Sequence, residues 1–201
     1  MQPVRVVSGT AVPLDRGDVD TDQIIPAVWL KRVEREGFGE GLFSAWRERD
    51  PDFMLDRPEF QGASILIAGP NVGTGSSREH AVWALMDHGF QAVISSRFGD
   101  IFRNNATKSG LVPVVVDPEV GELLLRAAAD EPGLQIIVDV ERRMLSVPEI
   151  GVEVPFPLDD FTWYRLVEGL DDIGLTMRHE VAITAFEARR PSWMPIVQST
   201  A

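Results

Sequence analysis

The chain has 201 residues, 44% of them hydrophobic, no cysteine and a formal net charge of −12. That apolar content suffices for a buried core and excludes a disordered chain, while the acidic balance excludes a general nucleic-acid binder, which needs Lys and Arg gathered on one face. Without cysteine the chain has no disulfide, thiolate nucleophile, thiolate zinc site or self-ligated iron–sulfur centre, so any such centre must come from a partner.

Met1-Gln2-Pro3-Val4-Arg5 lacks the layout of a signal peptide, and no window approaches the roughly 18 apolar residues of a membrane span. A cytoplasmic protein is expected. Val4–Val7 and Gly9–Val12 predict short strands or a hairpin. The stretch 15–26 follows, with four aspartates (Asp15, Asp18, Asp20, Asp22) and an apolar stop at Pro26. It lacks the glycine and glutamate of an EF-hand loop. Either its Asp and Thr side chains cap local backbone N–H groups, or one aspartate orients another catalytic group.

Trp29–Val33 begins a helical pattern that Gly37-Phe38-Gly39-Glu40-Gly41 breaks, and Leu42–Trp46 resumes an apolar face. The glycines predict a mobile loop that brings Lys31 and Arg32 over an anionic ligand, against the alternative of a solvated basic turn. Residues 50–60, with Pro51 and Pro58, form a connector.

Ala63–Ala68 predicts a strand, residues 69–80 a glycine-rich turn, and Ala81–His88 a helix. Ala92–Ser95 and Leu111–Val116 are further strands. Phe98–Ser109 is a helix ending at Gly110, and Pro118–Ala129 is a helix with Asp117 as N-cap and proline at its first position. This alternation predicts an α/β layout with a parallel core and a ligand at the carboxyl ends of its strands. Leu134–Val140, Arg143–Val147 and 151–156 predict an added antiparallel part. Leu158–Leu170 and Met177–Arg189 are amphipathic helices. One domain over 1–190 and a loose tail over 191–201 are expected.

The turn Gly73-Thr74-Gly75-Ser76-Ser77-Arg78-Glu79-His80 is the candidate site, because backbone N–H groups and a helix start converge there beside two hydroxyls and a guanidinium. It lacks the lysine of a phosphate loop, the third glycine of a dinucleotide fingerprint and the Gly-x-Ser-x-Gly of a nucleophile elbow. The structural alternative is a capping box between Ser76 and Glu79, which leaves the glycines and Arg78 unexplained. His80, His88 and His179 lack the pairing of helical metal ligands, so no metal site is expected. Each lone histidine reads first as a surface or capping residue, with His80 ahead of His88 and His179 as a general-base alternative.

Asp20-Thr21-Asp22-Gln23-Ile24-Ile25-Pro26 and Gly73–Ala81 together resemble the aconitase superfamily's swivel domain. Within it, they resemble the small subunits of bacterial 3-isopropylmalate dehydratase, the isopropylmalate isomerase of leucine biosynthesis. Supporting stretches are Phe38–Trp46, Ala81–Asp87, Asp100-Ile101-Phe102 and Gly169–Thr176. The resemblance implies a swivelling β/β/α fold, a heterodimer with a large subunit that carries a 4Fe–4S cluster, and a small dicarboxylate substrate. The implied reaction is dehydration of 2-isopropylmalate and rehydration to 3-isopropylmalate.

Carried over residue by residue, it makes Ser76 the base, Ser77 its hydroxyl neighbour, Arg78 the carboxylate-binding arginine and Asp22 the aspartate facing the site. Thr21, Lys31 and Arg32 are further substrate-binding candidates, and Trp29, Leu30 and Val33 offer apolar surface to an isopropyl group. Thr74 stands where the family often has cysteine, at a position not assigned to the chemistry. The rival readings are a related hydro-lyase for homoaconitate or a methylated malate, and a non-catalytic binding module for small carboxylates.

Overall fold

The computed structural model describes residues 1–31, 37–191 and 193–194. The first two extended stretches form β1 (Val6–Gly9) and β2 (Ala11–Leu14), but the hairpin alternative does not form. β1 runs antiparallel to β6 (Ile136–Asp139), whereas β2 runs parallel to β3 (Ile65–Ala68), pairing Val12 with Leu66. Thr10 alone separates the two strands, and its carbonyl accepts from the Ile65 N–H at 3.3 Å. One residue is too short for even a two-residue hairpin turn, so the chain leaves one sheet and enters the other.

The parallel sheet continues through β4 (Ala92–Ser95) to β5 (Val112–Val115) in the order β2-β3-β4-β5. α3 (Glu79–His88) and α4 (Asp100–Ser109) make the crossovers. Because the strand order advances in one direction, right-handed crossovers put both helices on the same face. The side chains follow. Leu66, Ala68 and Val93 pack with Val82, Leu85 and Phe102, while Ile65, Ile67 and Ile94 face Leu124 and Leu125 of α5 (Pro118–Asp130). Burial on both faces is why these strands read as unbroken apolar runs. Pro118 opens α5 as expected, although Asp117 makes no side-chain capping bond.

The antiparallel part is a second sheet, β1-β6-β7-β8, with β7 (Met144–Val147) and β8 (Val152–Pro155). Its inner residues Val7, Val138, Leu145 and Val147 share the α5 side of the core with Leu166 of α6 (Asp160–Glu168). The mixed α/β fold is thus the one expected, with one parallel and one antiparallel sheet.

Beyond α6 come α7 (Asp172–Met177), which sequence patterning did not separate, and α8 (Glu180–Glu187). Asp171 caps α7 at the Gly174 N–H, 2.7 Å away. The Asp172 carboxylate takes Lys108 at 3.2 Å and the buried Arg165 at 2.9 Å, and these cations, Lys108 foremost, hold it below the usual carboxylate range. Of the tail expected over 191–201, residues 192 and 195–201 lie outside the described residues. Among the described residues, no helix is long and apolar enough to cross a membrane.

Candidate active site

β2 and β3 are adjacent and parallel, so the segments that leave their carboxyl ends travel side by side. A parallel bridge between Asp20 and Thr74 prolongs the pairing, and the Thr21 N–H donates to the Thr74 carbonyl at 3.0 Å. The acidic motif and the glycine turn, more than 50 residues apart in sequence, therefore meet at the strand ends.

On the acidic side, Asp20 caps the single turn α1 (Thr21–Ile24). Its carboxylate accepts from the Gln23 N–H at 2.8 Å, and the Gln23 side chain accepts from the Asp20 N–H at 2.8 Å. The capping box at this site is thus Asp20/Gln23. The one considered for Ser76 and Glu79 does not form: α3 starts at Glu79, its N-cap is Arg78 in extended backbone, and no side chain caps it. The capping reading of the acidic stretch holds for Asp20, while Asp22 makes an ion pair with Arg78.

On the glycine side, Gly73 takes a positive φ of 73° and lies on the Phe102 ring, which a Cβ would approach to 2.1 Å. Serine at 95, closing an otherwise apolar strand, ties the start of the loop by donating to the Gly69 carbonyl at 2.7 Å. Sequence reasoning missed this support, and the signal was a lone hydroxyl at the end of Ala92-Val93-Ile94. Ser76 and Ser77 are exposed and Arg78 is half-buried. The Thr21 hydroxyl, 1% exposed as a residue, donates to the Ser76 carbonyl at 3.0 Å and stands 3.3 Å from Ser76 Oγ. The Arg78–Asp22 contact runs from Nη1 to Oδ1, using one of the five N–H donors of the guanidinium fork.

The structure therefore brings together Thr21, Asp22, Ser76 and Arg78, with Ser77 between the last two. Lys31 ends the 3-10 turn Ala27–Lys31 and is exposed, while Arg32 and Val33 lie outside the described residues. Trp29 and Leu30 pack against the core, and Trp29 Nε1 donates to Ser44 Oγ at 3.2 Å. Within the stretch 37–41, where the glycines predicted a hinge, Phe38 and Gly39 are closely packed. Phe38 is fully buried, and the Gly39 N–H donates to Asp87 at 2.8 Å. A Cβ on Gly39 would stand 2.9 Å from the His88 nitrogen, so this glycine serves close packing on α3. His80 sits edge-on to Phe38 and Trp83, at centroid distances of 5.3 and 4.7 Å, as an aromatic packing group.

Comparison with known proteins shows the family. The family model described as the aconitase C-terminal domain matches residues 1–119. The 3-isopropylmalate dehydratase small subunit of Frankia alni is 60% identical over 195 residues, covering 97% of this chain and 98% of that protein. The chain belongs to the 3-isopropylmalate dehydratase small-subunit family. The small subunit of Rubrobacter xylanophilus is 56% identical, covering 98% of this chain and all of that protein. A second family model, for the C-terminal domain of the 3-isopropylmalate dehydratase small subunit, matches residues 172–198 and so begins at α7. A solved 3-isopropylmalate dehydratase structure from Methanocaldococcus jannaschii superposes with a TM-score of 0.65 at 24% identity, over 90% of this chain and 99% of that one, which shows the shared fold.

Within the small-subunit family frame, the site divides into a hydroxyl pair and an ion pair. Thr21 and Ser76 place two oxygens in contact at the end of β2 and β3. Asp22 and Arg78, next in sequence to Thr21 and two residues on from Ser76, add an ion pair whose carboxylate is the more exposed partner. Such a set offers a proton acceptor and an anion clamp. It does not offer a metal-ligand cluster: the chain has no cysteine, and among the described residues no three His, Asp or Glu side chains converge as a metal site.

Proposed function

We propose that this chain, together with a large subunit, isomerises 2-isopropylmalate to 3-isopropylmalate through isopropylmaleate, and that Ser76 and Arg78 are its contribution to the reaction. The observation that carries this reading is the convergence of Ser76 and Arg78 on Thr21 and Asp22, one hydroxyl and one guanidinium delivered from the same turn. Arg78 binds a substrate carboxylate through the side of its fork not engaged by Asp22, since a guanidinium matches a carboxylate two bonds at a time. Ser76 Oγ, as an alkoxide, takes the proton on the carbon α to that carboxylate. The electron pair of the broken C–H bond becomes the second bond of the alkene, and the hydroxyl on the neighbouring carbon departs. Return of water with the opposite regiochemistry completes the isomerisation.

A serine is a weak base until its ionised form is stabilised. Arg78 and the backbone N–H groups of the turn supply positive potential next to Ser76, in the manner of preorganised dipoles at an active site. Departure of the hydroxyl is assigned to the partner. The residues of this chain do not suit a 4Fe–4S cluster, which calls for thiolate ligands, so the cluster belongs on the large subunit. Ser76 and Ser77 lie open on the surface, as residues do that are completed by a second chain.

The test is reconstitution. Mixed with a large subunit that bears the cluster, the chain converts 2-isopropylmalate, followed by isopropylmaleate absorbance, and the chain alone does not. Full turnover by the chain alone overturns the reading.

A further inference from the structure

We infer that Thr21 is a positioning residue for Ser76, whose single hydroxyl proton serves the Ser76 carbonyl while Ser76 is neutral and the Ser76 oxygen once it is ionised. The inference rests on the reading of Ser76 as the base. It replaces the role of substrate ligand that the motif alone suggested for Thr21.

Thr21 carries one hydroxyl proton and faces two oxygens of one residue, the Ser76 carbonyl at 3.0 Å and Ser76 Oγ at 3.3 Å. While that proton points at the carbonyl, Thr21 Oγ1 is only an acceptor toward Ser76 Oγ. The Ser76 O–H then donates to it, which fixes the Ser76 rotamer. When Ser76 is ionised, its oxygen can no longer donate and is the stronger acceptor of the two. Rotation about the Thr21 Cβ–Oγ1 bond brings the same proton to it, and a hydrogen bond to an ionised oxygen is roughly twice as strong as a neutral one. Atoms and charge balance, because Thr21 keeps its proton throughout and only changes the acceptor.

The rest of the structure fixes Thr21 for this task. Its N–H donates to Thr74 at 3.0 Å, its carbonyl accepts from Ile25 at 3.0 Å, and the Asp20/Gln23 box holds the residue before it. Being 1% exposed, it presents little surface to a substrate. Its β-branch restricts χ1, so the hydroxyl direction is set by the backbone. The pair therefore depends on β2 and β3 being neighbours.

The experiment compares Thr21→Val, Thr21→Ala, Thr21→Ser and Ser76→Ala, each reconstituted with the large subunit. Thr21→Val keeps the shape and removes the hydroxyl. It is expected to lower kcat at least about tenfold with KM unchanged within about twofold, the mark of a group that acts in the transition state. The acidic limb of the kcat profile moves to higher pH, because Ser76 ionises less readily. Thr21→Ala gives the same losses should Thr21→Val fail to fold, and Thr21→Ser restores kcat to within about threefold of the parent.

A Thr21→Ser variant as impaired as Thr21→Val overturns the inference, since the methyl group would then matter and not the hydroxyl. So does a hydroxyl-free variant with raised KM and intact kcat, which would make Thr21 a substrate ligand. Loss of turnover in Ser76→Ala with normal turnover in Thr21→Val overturns the inference and leaves the base reading standing. Normal turnover in Ser76→Ala overturns the base reading itself.

Discussion

Arg78 is ion-paired with Asp22 across the ends of two neighbouring strands, 56 positions apart in the chain. With its carboxylate exposed to screening solvent, the pair contributes only about 1 kcal/mol to stability, so it is better understood as aiming the half-buried guanidinium. Arg78→Lys keeps the charge and loses the fork. It is expected to lower kcat/KM about a hundredfold while leaving the melting temperature nearly unchanged, and Asp22→Asn to raise KM about three- to tenfold. Steady-state kinetics of the reconstituted variants, read beside thermal melts, check both. A large fall in melting temperature with normal turnover per folded molecule would make the pair a structural brace.

Gly73 is predicted to tolerate no side chain. Its φ of 73° disfavours an L-residue, and a Cβ would come within 2.1 Å of the Phe102 ring, itself buried in the core. Gly73→Ala should cost about 3 kcal/mol, combining backbone strain with overpacking. Urea unfolding midpoints measure this, and addition of Phe102→Leu should recover part of the loss. A Gly73→Ala variant as stable as the parent would contradict this packing.

Much of this was legible in the sequence, and the failures have physical causes. The strands β3, β4 and β5 were readable because burial on both faces makes them short, nearly continuous apolar runs. The fate of Val6–Leu14 was not, because β1 pairs with residues about 130 positions away, and local patterning carries no information on so distant a partner. The Ser76–Glu79 string satisfies the capping-box spacing, yet Ser76 is held by Thr21 and the helix begins later. The glycines at 37–41 suggested freedom, whereas at Gly39 the missing side chain allows the backbone to lie on α3. The motif residues themselves were found; what the sequence withheld was which of them touch.

His88 is expected to give stability a modest pH dependence. Partial desolvation of its imidazole, which still reaches solvent, together with the nearby Arg47 cation, holds its pKa below the ordinary 6.5 against the opposing pull of Asp56, the Gly39 backbone and Asp87. The unfolded chain therefore binds more protons than the folded one just below pH 6.5, and the contribution of His88 is complete above that value and lost as the pH falls through the window below it. Melting temperatures measured from about pH 7 to pH 5 should fall less in His88→Gln than in the parent. Parallel profiles for the two proteins would contradict this.

The central claim is that this chain delivers Ser76 as the base to a reaction completed by a large subunit. The most direct measurement is turnover of 2-isopropylmalate by the reconstituted pair with Ser76→Ala. If Ser76 is the base, kcat falls about a thousandfold or more, with association of the two subunits and melting temperature retained. Turnover within about tenfold of the parent, with the same association, would contradict it.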